Sequence, residues 1–458
     1  MALFSPILLA IAAGLLTAGH FAHRLTSPLA KLPGPKLTML TSLLLKWHEL
    51  KANRREYIHD LHVRYGPVVR VAPNEASFTS PAAVKEIYCS GGSGYDKTEF
   101  YDLFKVYGRR TMFTLLNRND HAKRRRIIAD RYANSNVMRP ASMSGIQERA
   151  AKFISRCEKS AGRSLDIFMC MPCATKTPLA AMIPNDSLQN RLIAFYSPTF
   201  HQLISRVLYF FAKPRETPLA DEFVLAASKK TDPAEFTLLR RMLEKAELDP
   251  IDYAAECLDH MAAGIDTTGD ALCFLMWELS QPRSFHVQEK LQAELREKAD
   301  EPLDKLPYLE AVVSEGLRCF PAIPMSLPRY VPDGGRVIDG YKIPEGTVVS
   351  CQAYSVHKLN EDVFPEAERF EPERWLKSEG DTERRKLQFA FASGGRGCVG
   401  KHLALAEMKT LLREVYSRFR TTPDLATSAA DMVMSDQLIS SRPAGQRCLL
   451  RFESLKQE

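Results

Sequence analysis

The sequence is short of several things. Its ten cysteines are scattered from Cys89 to Cys448 among 458 residues. So sparse a set makes no disulfide framework and implies a reducing compartment with mostly free thiols. No repeat period, low-complexity tract or long Gly/Ser linker interrupts the chain, which excludes solenoids and strings of small modules. Charge of one sign is scarce too. The net charge is +7, spread along the chain. That suits an acidic partner or an anionic membrane surface and is too weak to argue for nucleic acid. The chain carries no glycine fingerprint for a flavin or dinucleotide. Residues 2–23 contain no Asp, Glu, Lys or Arg at all.

What is present is an ordinary globular balance, 45% hydrophobic and 26% charged, so a large buried core is within reach. The charge-free start holds an apolar run from Pro6 to Leu16, and Arg24, Lys31 and Lys36 follow it. About 20 helical residues match a hydrocarbon core of about 30 Å, and trailing positive charge puts the rest of the chain on the cytosolic side. A cleaved signal peptide would need a basic segment before the run, and none is there. A buried core helix is the other alternative. The expectation is a transmembrane anchor over residues 1–24, a stiff break at Leu32-Pro33-Gly34-Pro35, and one large domain over 25–458.

Helical spacing dominates the body, as over residues 37–63. Val68-Val69-Arg70-Val71 reads as a strand ended by Pro73. Asp249-Pro250 reads as a helix start, and the helix runs to Ser280, where Gln281-Pro282 stops it. A second helix covers Tyr308 to Cys319, and strands with Asp339-Gly340 and Pro344-Glu345-Gly346 turns fill residues 336–352. The fold class is mainly α with small β-sheets.

The most informative stretch is Phe391-Ala392-Ser393-Gly394-Gly395-Arg396-Gly397-Cys398-Val399-Gly400, which runs into a helix at Lys401. Four glycines surround one cysteine on a tight loop at a helix N-terminus. Backbone N–H groups and the helix dipole there favour a thiolate. Glycines let a flat cofactor approach the backbone, and Arg396 can face a carboxylate. A protein thiolate facing a planar anionic group is what a cysteine-ligated haem needs, with Cys398 as the metal ligand.

That stretch resembles the haem-binding loop of the cytochrome P450 monooxygenases. Glu315-Gly316-Leu317-Arg318 resembles the family's E-x-x-R helix, and Phe370-Glu371-Pro372-Glu373-Arg374-Trp375 its P-E-R-F element, with Trp375 in place of Phe. The resemblance implies a buried triad of Glu315, Arg318 and Arg374. Ala263-Gly264-Ile265-Asp266-Thr267-Thr268 resembles the oxygen-binding motif, which makes Asp266 and Thr267 the proton-managing pair. Thr267 can bond the Ala263 carbonyl and bend the helix locally. His121-Ala122-Lys123-Arg124-Arg125 stands where the family often has W-x-x-x-R, so His121 and Arg125 fall at a haem propionate, as Arg329 does after Leu327-Pro328. Phe391, Gly394, Arg396 and Gly400 complete the cofactor set. Tyr65-Gly66-Pro67 and the residues after it look like filamentous-fungal microsomal members.

The resemblance implies haem b and insertion of one atom of O2 into a small, largely apolar organic substrate. Electrons would come from NADPH through a separate cytochrome P450 reductase. It also implies the endoplasmic reticulum membrane, with the catalytic domain cytosolic and no nucleic-acid partner. A fungal secondary metabolite is the expected substrate. Phe100, Phe104, Phe113, Phe200, Ile204, Met261, Ile323 and Ile439 are candidate pocket residues. Two alternatives stay open: a haem-thiolate rearrangement or dehydration enzyme that needs no reductase, and a non-catalytic haem-binding protein. Residues 166–190 are compressed relative to the family, and Cys170-Met171-Pro172-Cys173 reads as helix-end packing rather than a zinc site.

Overall fold

The computed structural model describes residues 6–89, 94–160, 162–170, 188–208, 218–230, 232–245 and 247–455. Helices carry most of it, with four small sheets, as the sequence predicts. The central element is the helix Pro250–Leu279, 30 residues long. Pro250 sits in its first turn, where a missing N–H costs nothing. Asp249 precedes it without capping it, because its carboxylate pairs with Arg109 at 3.1 Å. From Ala271 to Leu279 the helix is buried on all sides. It forms the main core with helices Phe285–Glu297, Pro307–Cys319 and Lys401–Tyr416.

A second core lies against a five-stranded sheet ordered Val68–Ala72, Glu75–Phe78, Val348–Cys351, Arg329–Tyr330, Asp96–Lys97. Its register sets Lys97 opposite Arg329. The hairpin Arg336–Ile338/Tyr341–Ile343 turns at Asp339 and Gly340, both at positive φ (48° and 80°), as a two-residue turn between twisted strands requires. All nine cysteines among the described residues are free thiols. Cys173 and residues 171–187 of the compressed region lie outside the described residues.

One expectation needs correction. The amino-terminal helix forms, over Pro6–Thr26, but among the described residues no helix is long and apolar enough to cross a membrane. Twenty-one residues give sufficient length, about 31 Å. The second half of the sequence there brings Thr17, Gly19, His20, His23 and Arg24, so the apolar stretch itself ends near Leu16.

Candidate active site

The loop before helix Lys401–Tyr416 is folded by its own backbone. The Gly397 N–H donates to Gly394 O at 3.0 Å, and the Cys398 N–H donates to Phe391 O at 2.9 Å. Gly394 lies at φ +69° against the Tyr88 carbonyl, which a Cβ there would meet at 1.9 Å, so no other residue fits. This clamp turns Cys398 toward a cavity of about 240 Å³ that opens to solvent. One wall of the cavity is the long helix, at Ala263, Gly264, Thr267, Thr268 and Ala271. The facing wall is the loop with the first turns of the next helix, through Leu403, Ala404 and Met408. A Cβ added at Gly264 would meet nothing within 4 Å, so the backbone there borders open space.

The rim is cationic. Lys97, His121, Arg125, Arg329 and Arg396 all line it. Arg329 Nη1 donates to the Tyr101 hydroxyl at 2.7 Å, and Arg125 Nη1 to Gly397 O at 2.6 Å. Arg396 Nη2 reaches Asp96 at 3.1 Å, while its Nη1 is buried without a hydrogen-bond partner. Burial, and next to it the charge of Arg329, lower Arg396 to about 10. Burial together with Arg329, Arg396 and Arg125 pushes Lys97 well below its usual range. Burial, with Lys97 and the arginines, takes His121 down to about 3, so it is neutral. Crowded cations beside an orphaned guanidinium nitrogen call for anions, and a planar group bearing two carboxylates fits the slot. For Cys398 itself, burial raises the thiol, opposed by the Gly400 N–H, Arg125 and Lys401.

The structure brings Cys398, Phe391, Arg396, Gly400, His121, Arg125, Arg329 and Thr267 to this one cavity. Gly394 acts behind it, holding the loop. The Thr267 hydroxyl donates to Ala263 O at 2.8 Å, the predicted helix contact. Asp266 is half-buried on the flank of the helix and does not line the cavity. Of the candidate pocket residues, Phe113 and Ile323 line it. Phe104 meets Phe113 edge-on and Phe100 meets Phe104 edge-on behind it, Phe200 is exposed, and Ile439 is packed in the core. Ile204 and Met261 do not line it either. Sequence reasoning missed Lys97 and Tyr132 and singled out neither Asp259 nor His260, all of which line it, while Thr268 lines it as the last residue of the Ala263–Thr268 motif. Asp259 and His260 had a signal, since they precede Ala263 by four and three residues and so share its helix face.

Below the loop, Glu315, Arg318 and Arg374 meet as predicted and are all buried. Arg318 grips Glu315 with two bonds of 2.8 Å, and Arg374 Nε adds a third at 3.0 Å. The Trp375 indole N–H donates to the same carboxylate at 2.9 Å, a bond that phenylalanine could not make.

The cytochrome P450 family profile matches residues 32–190 and 197–448 of this chain. The cytochrome P450 monooxygenase stcB of Emericella nidulans is 30% identical, over 93% of this chain and 88% of its own length. The monooxygenase cypX of Dothistroma septosporum is 28% identical, over 92% and 90% of the two chains. The monooxygenase aflV of Aspergillus parasiticus is 27% identical, over 93% and 92%. A cysteine presented by a glycine clamp to a cation-rimmed slot, across from Gly264 and Thr267, accords with these likenesses, and the chain belongs to the cytochrome P450 family of monooxygenases.

Proposed function

We propose that the protein binds haem b, which the Cys398 thiolate would ligate, and oxidises a small, largely apolar organic substrate in fungal secondary metabolism. The observation that carries this is the cavity that Cys398 shares with Thr267 and the crowded rim cations, where Arg396 Nη1 is buried without a partner. Haem bound there supplies the oxygen chemistry, in which one atom of O2 enters the substrate and the other leaves as water. Arg125, Arg329, Arg396 and His121 hold its carboxylates. Gly264 leaves room beside the backbone. Thr267 holds a proton at its hydroxyl, already oriented by Ala263 O, and Asp266 supplies it from the helix flank. Met112, Phe113, Ile323 and Leu327 present an apolar wall to the substrate and exclude water. Electrons come from NADPH through a cytochrome P450 reductase, whose acidic surface suits the exposed Lys123 and Arg126 on helix Arg118–Ile128.

The test is proton handling. Thr267→Ala should keep haem and substrate binding and much of the NADPH consumption. Product per NADPH should fall by about tenfold or more, the usual scale for losing positioned proton transfer, while released hydrogen peroxide rises. Thr267→Ser keeps the hydroxyl and should retain more coupling. Unchanged coupling in Thr267→Ala would remove this hydroxyl from the chemistry, and product formed without NADPH would favour a rearrangement enzyme.

Residues 25–458 form the catalytic domain in this reading, cytosolic and held at the endoplasmic reticulum. The helix Pro6–Thr26 would lie in the membrane face rather than cross it. Exposed apolar side chains recur at Ile11, Leu15, Leu25, Leu37, Leu43 and Trp47, as an interfacial attachment needs. Deleting residues 1–24 should release the protein from pelleted membranes with its haem retained. Recovery of a secreted chain cleaved near residue 22 would overturn this localisation.

A further inference from the structure

One polar turn of the long helix faces the cavity without a part in the chemistry above. Asp259 and His260 both line the cavity there, one turn before Ala263. His260 is committed on both ring nitrogens. Its Nδ1 lies 2.7 Å from the Tyr132 hydroxyl, and its Nε2 lies 3.5 Å from Glu256. Glu256 is committed as well, accepting the Met112 N–H at 2.8 Å and Arg124 Nη1 at 2.7 Å. The Thr111 side chain stands beside Asp259 as a donor that lowers its carboxyl. A carboxylate accepts about four hydrogen bonds, so it has lone pairs left to offer a molecule in the cavity. Burial raises this carboxyl to about 6, against Thr111, His260 and Lys97, which lower it, and with Glu256, which raises it further. At neutral pH it is still mainly an ionised acceptor.

The rest of the substrate wall is apolar, through Met112, Phe113, Ile323 and Leu327. We infer that Asp259 is the polar anchor for the substrate and accepts a hydrogen bond from a hydroxyl on an otherwise apolar molecule. This rests on the haem-monooxygenase reading and deepens it. A hydroxyl fits better than an ammonium group, because the apolar wall of Met112, Phe113, Ile323 and Leu327 would strip an ammonium of its hydration and return one carboxylate, whereas a hydroxyl needs only that one bond. Eight residues separate Asp259 from Thr267, about 12 Å along the helix axis. The anchored hydroxyl and the oxidised carbon therefore sit at well-separated positions of the molecule. Asp259 thus sets which molecules seat and which end is presented, since a site built to bond a hydroxyl rejects the analogue that lacks it.

The experiment uses the full-length haem-loaded protein and optical titration of the haem band. The probes are 2-naphthalenemethanol, its methyl ether and 2-naphthalenemethylamine, with the matching anthracene set. The alcohol should bind about tenfold more tightly than the ether, the scale of one good hydrogen bond to a charged acceptor. In Asp259→Ala that preference should shrink to about twofold or less, with the ether's affinity little changed. Asp259→Asn, which keeps an acceptor oxygen and the means to bond Thr111, should fall between. Four results would overturn the inference. They are equal binding of alcohol and ether by the native protein, a preference that survives in Asp259→Ala, tightest binding of the amine, and a uniform loss of all probes with a lowered melting temperature. The last would make Asp259 a strut for the Thr111 segment. A native protein without the carbon monoxide band of a thiolate haem sinks the proposed function. Where the band is present, the alcohol and ether comparison judges Asp259 alone.

Discussion

Cys398→Ser should abolish the carbon monoxide difference band of a thiolate-ligated haem while the protein stays folded. The loop does not depend on sulfur for its shape. It is held by the Cys398 N–H on Phe391 O, the Gly397 N–H on Gly394 O, and the Gly394 contact with Tyr88. Serine fits the same backbone and presents a hydroxyl, which stays protonated at neutral pH and ligates iron poorly. The protein alone does not make the thiolate, because burial raises the Cys398 thiol more than the Gly400 N–H, Arg125 and Lys401 lower it. The metal must complete the ionisation, as metal binding to a thiol releases its proton. The rim arginines do not change in the variant, so some haem should remain bound with an altered spectrum. Cys170→Ser and Cys173→Ser should leave the band intact. An unchanged band in Cys398→Ser would remove this cysteine from the centre.

Which parts of the site could be read in advance follows from how locally each is encoded. The glycine clamp is a matter of ten consecutive residues, and its spacing already implies a tight turn opening into a helix. The triad was legible because Glu315 and Arg318 are three apart on one helix, which leaves only the arrival of Arg374 to tertiary structure. Lys97 was not legible. It reaches the rim through a strand register that sets it opposite Arg329, 232 positions away in sequence number. Asp266 and Asp259 are seven residues apart on one helix, and the flanking position of the first followed only from how the helix is rotated against the loop. Phe200 carries the same apolar character as Phe113 and is exposed, because composition does not say which helix face meets the cavity. At Trp375 the replacement of phenylalanine keeps an aromatic ring, and its consequence is polar: an added donor to a buried carboxylate. The amino-terminal helix formed as expected, but hydropathy along its full length, not the absence of charge, decides whether it can span a bilayer.

The other large effect expected is at the triad, and the structure ranks its members. Arg318→Ala should be the worst. It strips two bonds from Glu315 and also leaves the Ala367 and Arg369 carbonyls without the guanidinium that bonds them at 2.7 and 3.0 Å. Breaking a buried ion pair on one side costs about 3–5 kcal/mol, a large share of a total stability of about 5–15 kcal/mol. Arg374→Ala should fall at the lower end of that range, because Glu315 keeps Arg318, the Glu371 N–H and Trp375. Trp375→Phe keeps the volume and loses one bond to a charged group, about 1.5–3 kcal/mol. Denaturation midpoints and haem content of the three variants measure this order. Equal midpoints, or a normal haem yield in Arg318→Ala, would show that the cluster does not hold the fold. An acid titration gives an independent check. Burial alone would raise the Glu315 carboxyl, but bonding and charge from Arg318 and then the charge of Arg374 outweigh it and leave it below the usual range. A carboxyl lowered on folding adds stability at neutral pH and loses it as pH falls through its folded value. Trp375→Phe should keep most of that acid dependence. Arg374→Ala should weaken it, and Arg318→Ala should flatten or invert it, because a buried Glu315 without its main cation gains stability when it is protonated.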